Sequence, residues 1–389
     1  MSIQSEIDRI VTSVENAYSK VSEKGGIAPA TQTVANLARA IGSIPASGGN
    51  ELIVTAPTGS NVTASKGGIT KIATEKNGTW TFKGLEAGDW EVTAVKGSDI
   101  KTITVTITNE SVEIHYRPNF TYTGDWEWYN EEQTIVKLKT SGIITFDSDF
   151  PADVFVVGGG ASGAGSYGNY LPQISGGGGG GGYTKTQRVS FEKGIEYPAT
   201  IGAGGASVSN NTFPSNNGNA GGATSINGVS ANGGNPGTGG YGSSHVPGTS
   251  YGNGGSGGSG GGSSFWDAGN YPGSGAGGSD GSSGTSNRIS TGTLPGGSGQ
   301  GTTTRAFGEP DGELFAGGGG GGCGDTHRVS YPNGGAGGGG NGGNTNNSLE
   351  ATSGQENTGG GGGGVFFYSS NVTRYSGAGG SGVILIRFV

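Results

Sequence analysis

A single cysteine, Cys323, in 389 residues excludes an intrachain disulfide and any multi-cysteine metal site. No stretch approaches the roughly 18 apolar residues that a membrane-crossing helix requires. The opening MSIQSEIDRI has no basic region followed by an apolar run, so the expectation is synthesis in the cytoplasm without a signal peptide and without membrane insertion. There is no basic block either. At a net charge of −8, the chain lacks the clustered Lys and Arg that neutralise phosphates, which removes nucleic acid from the expected partners. Only 30% of the residues are hydrophobic. The expectation is that its cohesion rests on neither disulfides nor an ordinary aliphatic core.

What is abundant is glycine, and it is unevenly placed. Of 90 glycines, 14 lie in residues 1–156 and 76 follow. That makes about a third of the second part glycine, against an average usage of roughly 7%. Collagen would need a Gly-X-Y period and many prolines; the period is absent, and only nine prolines follow residue 156. Three uninterrupted runs stand out, Gly176–Gly182, Gly317–Gly322 and Gly359–Gly364.

The first part is conventional. Residues 3–21 predict a helix, because Ile3, Ile7, Ile10, Val14, Ala17 and Val21 recur at alternating spacings of four and three. Read as heptads, Ile7, Val14 and Val21 share one seam position and Ile3, Ile10 and Ala17 the other. β-Branched residues at both positions favour three strands or more; the alternative is an amphipathic helix packed on a neighbour. Gly25 and Gly26 end it. A second short helix carries Val34, Leu37, Ala38 and Ile41 on one face, and residues 46–50 read as a linker. Over residues 51–117, short alternations of β-branched or aromatic with polar residues, separated by Gly, Asn and Asp, predict a small all-β sandwich. Trp80, Phe82, Trp90 and Val92 are its expected core.

Strands continue from Phe120. DVFVV (153–157) and VILIRF (383–388) are continuous apolar runs, as expected of strands buried on both faces. If they pair, the glycine-rich tract is an insertion clamped at both ends, with further strands in YTKTQRVSFE, EYPATIGAGG and ATSINGVSANGG. A free spacer has no reason to sit between two strands that must find each other. The other possibility is polyproline-II geometry, with three residues per turn and about 3.1 Å rise, so that seven residues span roughly 22 Å. Such a helix makes no internal hydrogen bonds, and its buried N–H and C=O groups must pair sideways with neighbours. At that close approach a Cβ would obstruct. The runs therefore predict an ordered polyglycine-II bundle acting as a scaffold.

Catalytic chemistry is sparse. G-x-G-x-x-G matches repeatedly, but none opens a helix within a βαβ unit, and no Gly-Lys dipeptide exists for a Walker loop. His115, His245 and His327 are far apart in sequence. Cys323, Asp325 and His327 are close together, yet lack ligand spacing and a third partner; a polar loop with a buried thiol is expected. EPDGE (309–313) fails the calcium-loop pattern and reads as a solvated acidic turn. No enzyme activity, metal or cofactor is expected. Aromatics are instead concentrated in the glycine-poor segments. Tyr167 and Tyr170 fall in one of these. The candidate binding residues fall in the others: Tyr241, His245 and Tyr251; Phe265, Trp266, Asp267 and Tyr271; Arg305, Phe307 and Phe315; His327, Arg328 and Tyr331. Rigid aromatics among Ser, Gly and Asn have the composition of a paratope and suit sugar rings as well. The competing reading is that these rings fold back and cap the bundle.

AYSKVSEKGGIAPATQTVANLARAIGSIPASGG resembles the N-terminal segment of tail-fibre and tail proteins of phages infecting Gram-positive bacteria. ELIVTAPTGSNVTASKGG with GTWTFKGLEAGDWEVTAVKG resembles the small β-sandwich that follows it there. FTYTG, DVFVVGGGASG, ATIGAGG, GGATSINGVSANGG and GAGGSGVILIRFV resemble phage glycine-rich tail-tip domains, and a similar arrangement occurs in the glycine-rich extracellular domains of some animal receptor kinases. The resemblance covers nearly the whole chain. It implies a mainly β fold with a short N-terminal helical region: a helical attachment or oligomerisation region at 1–47, an Ig-like spacer at 48–118, and at 119–389 a jelly-roll-like sheet with an inserted polyglycine-II bundle. It also implies a receptor-binding adhesin of the virion, with loops at one end of the bundle recognising a bacterial surface glycan or protein. The N-terminal region would contact other tail proteins and form a homo-oligomer, a trimer being favoured. A purely structural tail or baseplate protein is the alternative function. A depolymerase would instead need paired carboxylates, with Asp311 and Glu313 as candidates, and a disordered tail would be cut throughout residues 157–380.

Overall fold

The spacing of apolar residues is realised as helix α1, Ile3–Glu23, in the computed structural model of the chain. The structure describes residues 3–23, 33, 36–37, 40, 51–56, 59–76, 78–97, 99–108, 110–115, 117–131, 133–166, 175–209, 216–240, 252–264, 282–284, 304–322, 332–343, 350–365 and 373–388. It divides into two units, residues 1–117 and 118–389. In the first unit Val14, Tyr18 and Val21 of α1 pack with Leu37 and Ala40. The Tyr18 hydroxyl donates to the Thr33 carbonyl at 2.7 Å. Ile7, Ile10 and Val11 continue the same side of the helix but are 47, 48 and 49% exposed. The expected seam is thus split, its C-terminal half closed by the chain itself. Val34, Ala38 and Ile41 lie outside the described residues.

The sandwich consists of β1 (Leu52–Thr55), β2 (Asn61–Lys66), β3 (Ile69–Ile72), β4 (Glu75–Lys76), β5 (Thr79–Phe82), β6 (Gly88–Lys96), β7 (Asp99–Ile107) and β8 (Val112–His115). Two sheets, ordered β4-β5-β1-β8 and β3-β2-β6-β7, enclose Trp80, Phe82, Trp90 and Val92 together with Leu52, Val54 and Ile107. Burying an indole leaves a donor to satisfy; that of Trp90 donates to the Glu86 carbonyl at 2.8 Å.

In the second unit the strands are β9 (Phe120–Tyr122), β10 (Trp126–Trp128), β11 (Ile135–Leu138), β12 (Gly142–Phe146), β13 (Phe150–Val157), β14 (Thr184–Phe191), β15 (Glu196–Ala199), β16 (Thr224–Ile226), β17 (Val229–Ala231) and β18 (Val383–Phe388). One sheet runs β10-β11-β18-β13-β14 and another β15-β12-β9. The two apolar runs do pair: β13 and β18 are antiparallel neighbours, with Val154 opposite Ile386 and Val156 opposite Ile384. Successive side chains alternate between faces, and here both faces are covered. Val154, Val156, Ile384 and Ile386 meet Ile144 and Phe146 of β12, Phe191 of β14, and Ile226 and Val229 of the β16–β17 hairpin. Phe155, Val157, Val383 and Leu385 meet Ala306, Phe315 and Ala316.

The glycine tract leaves β13 at Gly158 and re-enters β18 after Gly382, and its hydrogen bonds define its form. Along Gly176–Gly182, donors repeat every third residue. Gly176, Gly179 and Gly182 donate to Val365, Gly362 and Gly359; Gly177, Gly180 and Tyr183 to Thr238, Asn235 and Asn232; Gly178 and Gly181 to Gly262 and Ser259. Acceptors follow the same rule. Ala164, Ala161 and Gly158 donate to Gly177, Gly180 and Tyr183, Gly255 and Gly258 to Gly178 and Gly181, and Gly322 and Gly319 to Gly176 and Gly179. A period of three with no internal bond is the polyproline-II helix. This one is surrounded by six segments, three accepting from it and three donating to it. The other two runs bond in the same way: Gly317 and Gly320 donate to Gly337 and Gly340, and Gly361 and Gly364 to Gly317 and Gly320.

Glycine is required here for space. A Cβ added at any residue from Gly176 to Gly182 would lie closer than 3.0 Å to a backbone carbonyl of a neighbouring segment. The carbonyls met from Gly176 to Gly180, those of Ala164, Asn253, Gly319, Ala161 and Ser256, are themselves fixed by hydrogen bonds, and a buried peptide group left unpaired costs about 1–3 kcal/mol. One displaced segment therefore strands the partners on both sides of it.

Candidate functional site

The bonding pattern gives the bundle two distinct ends. At one end several helices are joined to strands. Gly158, following β13, donates to Tyr183, which precedes β14; Tyr183 donates to Asn232, which follows β17; Gly382, preceding β18, donates to Gly202, which follows β15. These bonds define the sheet end.

At the opposite end the described helices stop at glycine-poor sequence. Gly165 donates to Asn216, Gly176 to Val365, Gly177 to Thr238, Gly322 to Gly176, Gly342 to Pro332, Gly343 to Gly364, Ser264 to Gly252 and Ser376 to Val208. The described residues flanking 167–174, 210–215, 241–251, 323–331, 344–349 and 366–372 on both sides, and 265–281 on its N-terminal side, therefore lie at this far end. The sequence places Tyr167, Tyr170, Phe213, Tyr241, Tyr251, Phe265, Trp266, Tyr271, Tyr331, Phe366, Phe367 and Tyr368 in these segments. Within the described parts of the glycine helices beyond Tyr183, the one aromatic is Tyr375.

Ten of the expected binding residues, Tyr241, His245, Tyr251, Phe265, Trp266, Asp267, Tyr271, His327, Arg328 and Tyr331, lie outside the described residues, as do Cys323 and Asp325. The described residues flanking their segments lie at the far end, although those segments are scattered along the chain. Phe213 and the Phe366-Phe367-Tyr368 cluster occur in two further segments flanked by that end and were not among the expected residues. The signal for them was present, since the cluster follows the third glycine run as the others follow theirs.

Arg305, Phe307 and Phe315 require a correction. They lie on the sheet, away from that end. The Phe315 side chain is fully buried, with its ring 5.4 Å from that of Phe155. Phe307 is half-buried beneath the Arg387 guanidinium, 4.3 Å from ring centroid to Cζ, and Arg305 donates to the Gly312 carbonyl at 2.9 Å. All three belong to a cap over β13 and β18. The acidic turn 309–313 is exposed at Glu309, Asp311 and Glu313, as expected, and two of its carboxylates are engaged: Glu309 pairs with Arg387 and Glu313 accepts from the Tyr129 hydroxyl at 2.8 Å. Burial, then Glu313, pushes the Tyr129 phenol up. Arg188, then Arg387, holds the Asp153 carboxyl below the usual range against the opposing effect of burial.

The sides of the bundle present small polar residues at every third position. Asn232 and Asn235 are exposed and Thr238 is partly so, while Gly234, Gly237, Gly239 and Gly240 are buried. Side-chain amides there take the sideways bonds that a missing neighbour would have made: Asn235 Nδ2 donates to Ser256 Oγ, Asn219 Nδ2 to the Ala206 carbonyl (both 2.8 Å), and Asn216 Nδ2 to the Ser209 carbonyl (2.7 Å). Among the described residues there is no group of three His, Cys, Asp or Glu arranged to hold a metal, and no helix long and apolar enough to cross a membrane.

No curated protein matches the chain. A family model described as a glycine-rich domain matches residues 140–389, which takes in β13, the whole bundle and β18. The sequence runs, the clamped insertion and the threefold bonding agree with that match, and the chain belongs to this glycine-rich domain family.

Proposed function

We propose that the protein is a phage tail adhesin that binds a bacterial surface receptor through the far end of its glycine bundle, without cofactor and without catalysis. What carries the reading is the one-sided departure of the aromatic segments. The described residues that flank five aromatic-bearing segments on both sides stand at the end opposite the sheet, so in this reading a rigid lattice presents rings from distant parts of the sequence together. Tyr, Trp and Phe among Ser, Gly and Asn supply large contact area at low side-chain entropy cost. In this reading the β-sandwich is a spacer and the N-terminal region joins the protein to other tail components in the virion. The exposed Ile7, Ile10 and Val11 side supports self-association there, a trimer being favoured by the β-branched residues.

The test uses the fluorescently labelled full chain on a panel of Gram-positive cells and their purified wall polysaccharides. A variant with residues 241–251, 265–271 and 323–331 replaced by Ser and Gly runs beside it. Strain-selective binding that the variant loses is the expected result. Selective binding retained in full by a folded variant contradicts the assignment to this end. No binding to any strain by the folded parent favours a structural tail protein.

A further inference from the structure

One face of the five-stranded sheet and the sheet-side end of the helix bearing Gly317–Gly322 are closed by the same short stretch, residues 304–316. The stretch is self-folded. Arg305 and Leu314 form a bridge, Ala306 N–H donates to the Glu313 carbonyl at 3.0 Å, and Phe315 N–H to the Thr304 carbonyl at 2.9 Å. Its apolar contacts are those of Ala306, Phe307, Phe315 and Ala316 with Phe155, Val157, Val383 and Leu385, edged by Tyr129 and Ile135. The remaining fastenings are polar or charged. Arg387 on β18 is shared between Glu309 of the stretch and Asp153 of β13, the latter at 3.0 Å. Arg188 on β14 holds the other Asp153 oxygen at 2.8 Å, and Tyr129 fixes Glu313. Lys137 of β11 faces the same side but is engaged by Glu127 at 3.3 Å, as is Lys139 at 2.9 Å. Phe307 has a φ of 55°, a left-handed conformation that persists in a non-glycine residue only when its surroundings impose it.

The bundle contrasts with this. Its segments 158–166, 175–182, 232–240, 252–264 and 316–322 contain no Asp, Glu, His, Lys or Arg, so nothing in them titrates. We propose that residues 304–316 are a charge-held latch that opens in acid or high salt while the glycine helices stay formed. Opening uncovers Phe155 and Leu385 and frees the sheet-side end of helix 316–322. The sign follows from the carboxylates. Protonation removes the charge by which a carboxylate holds a guanidinium, so the hold on the stretch weakens as pH falls, while the pairs that Asp153 makes within the sheet, its carboxyl being held below the usual range, are the last to go. Salt screens the partly exposed pairs, whereas backbone bonds between glycines carry no net charge to screen.

The test is hydrogen exchange of the full chain, read by mass spectrometry and corrected for intrinsic rates, at neutral pH and at about pH 3, which lies below ordinary carboxylate values. Peptides over 304–315 are expected to exchange about tenfold faster in acid, the scale of losing one charge-assisted hydrogen bond, while those over 176–182 keep their rate. Glu309→Gln, which keeps the shape and removes the charge, is expected to do the same at neutral pH. Acceleration of both regions together overturns the proposal. So does an unchanged 304–315 in acid or in the variant.

Discussion

The two units use glycine for opposite reasons. In the sandwich, Gly67 and Gly68 turn the chain between β2 and β3 with φ of 56° and 82°, and Gly84 has 63°; a Cβ on any of them would meet nothing within 4 Å. Those positions need a backbone conformation, and space is plentiful. Along Gly176–Gly182 no residue has a left-handed φ, and a Cβ would overlap a carbonyl at every one. There the backbone is ordinary and the space is missing. The same residue type is a hinge for the chain in one unit and a packing surface in the other. Its entropic cost, about 0.5–1 kcal/mol relative to Ala, is offset locally in a turn but only collectively in the lattice.

This difference can be broken deliberately. The largest effect is expected for Gly179→Val: its Cβ would overlap the Ala161 carbonyl, and that oxygen is pinned by Gly362 N–H at 2.8 Å. Overpacking of about 3 kcal/mol or more should abolish protection throughout residues 158–382 while leaving β1 to β8 intact, as read by peptide-resolved hydrogen exchange. Gly84→Ala, with room for its methyl but the wrong φ, should destabilise only the sandwich by roughly 1–2 kcal/mol, with Gly84→Asn recovering part of it; denaturant midpoints followed by Trp80 and Trp90 fluorescence check this. Acid tests a smaller term. Because Asp153 is held below the usual carboxylate range, its share of stability, limited to about 0–1 kcal/mol for partly exposed pairs, should survive mild acid and disappear only at lower pH. Asp153→Asn should flatten that part of the pH–stability curve. Smallest is Asn235→Ala at the bundle side, which loses the bond to Ser256 and should cost about 0.5–1 kcal/mol without unzipping the interior.

These contrasts also explain what could be read from the letters. DVFVV and VILIRF announced their pairing because strands covered on both faces carry no polar alternation to obscure them. The scaffold role of the runs followed from the same logic: a helix surrounded on all sides can vary nowhere, so it reads as uninterrupted glycine. The bundle sides were legible in principle. NGGNPGTGG, residues 232–240, carries a local period of three, since only one residue per turn faces outward, and a search for a continuous collagen repeat passes over so short a stretch. Phe315 misled because an aromatic in a glycine-poor segment has the same sequence signature whether it covers a sheet or reaches outward. Which end each segment leaves from depends on helix direction, and composition holds no record of that. The split seam of α1 likewise depends on Leu37 and Ala40 folding back on it, a tertiary choice that heptad spacing alone leaves open.

The claim on which the rest depends is that seven consecutive glycines form a rigid element. Amide exchange at Gly176–Gly182, resolved residue by residue in the intact chain, tests it directly. The lattice predicts protection comparable to that of Val154 and Val156 in β13, because each of the seven N–H groups is buried and bonded. Exchange at the rate of an unstructured peptide, alongside a protected β13, would mean that the run is a flexible spacer and would remove the scaffold on which the proposed function rests.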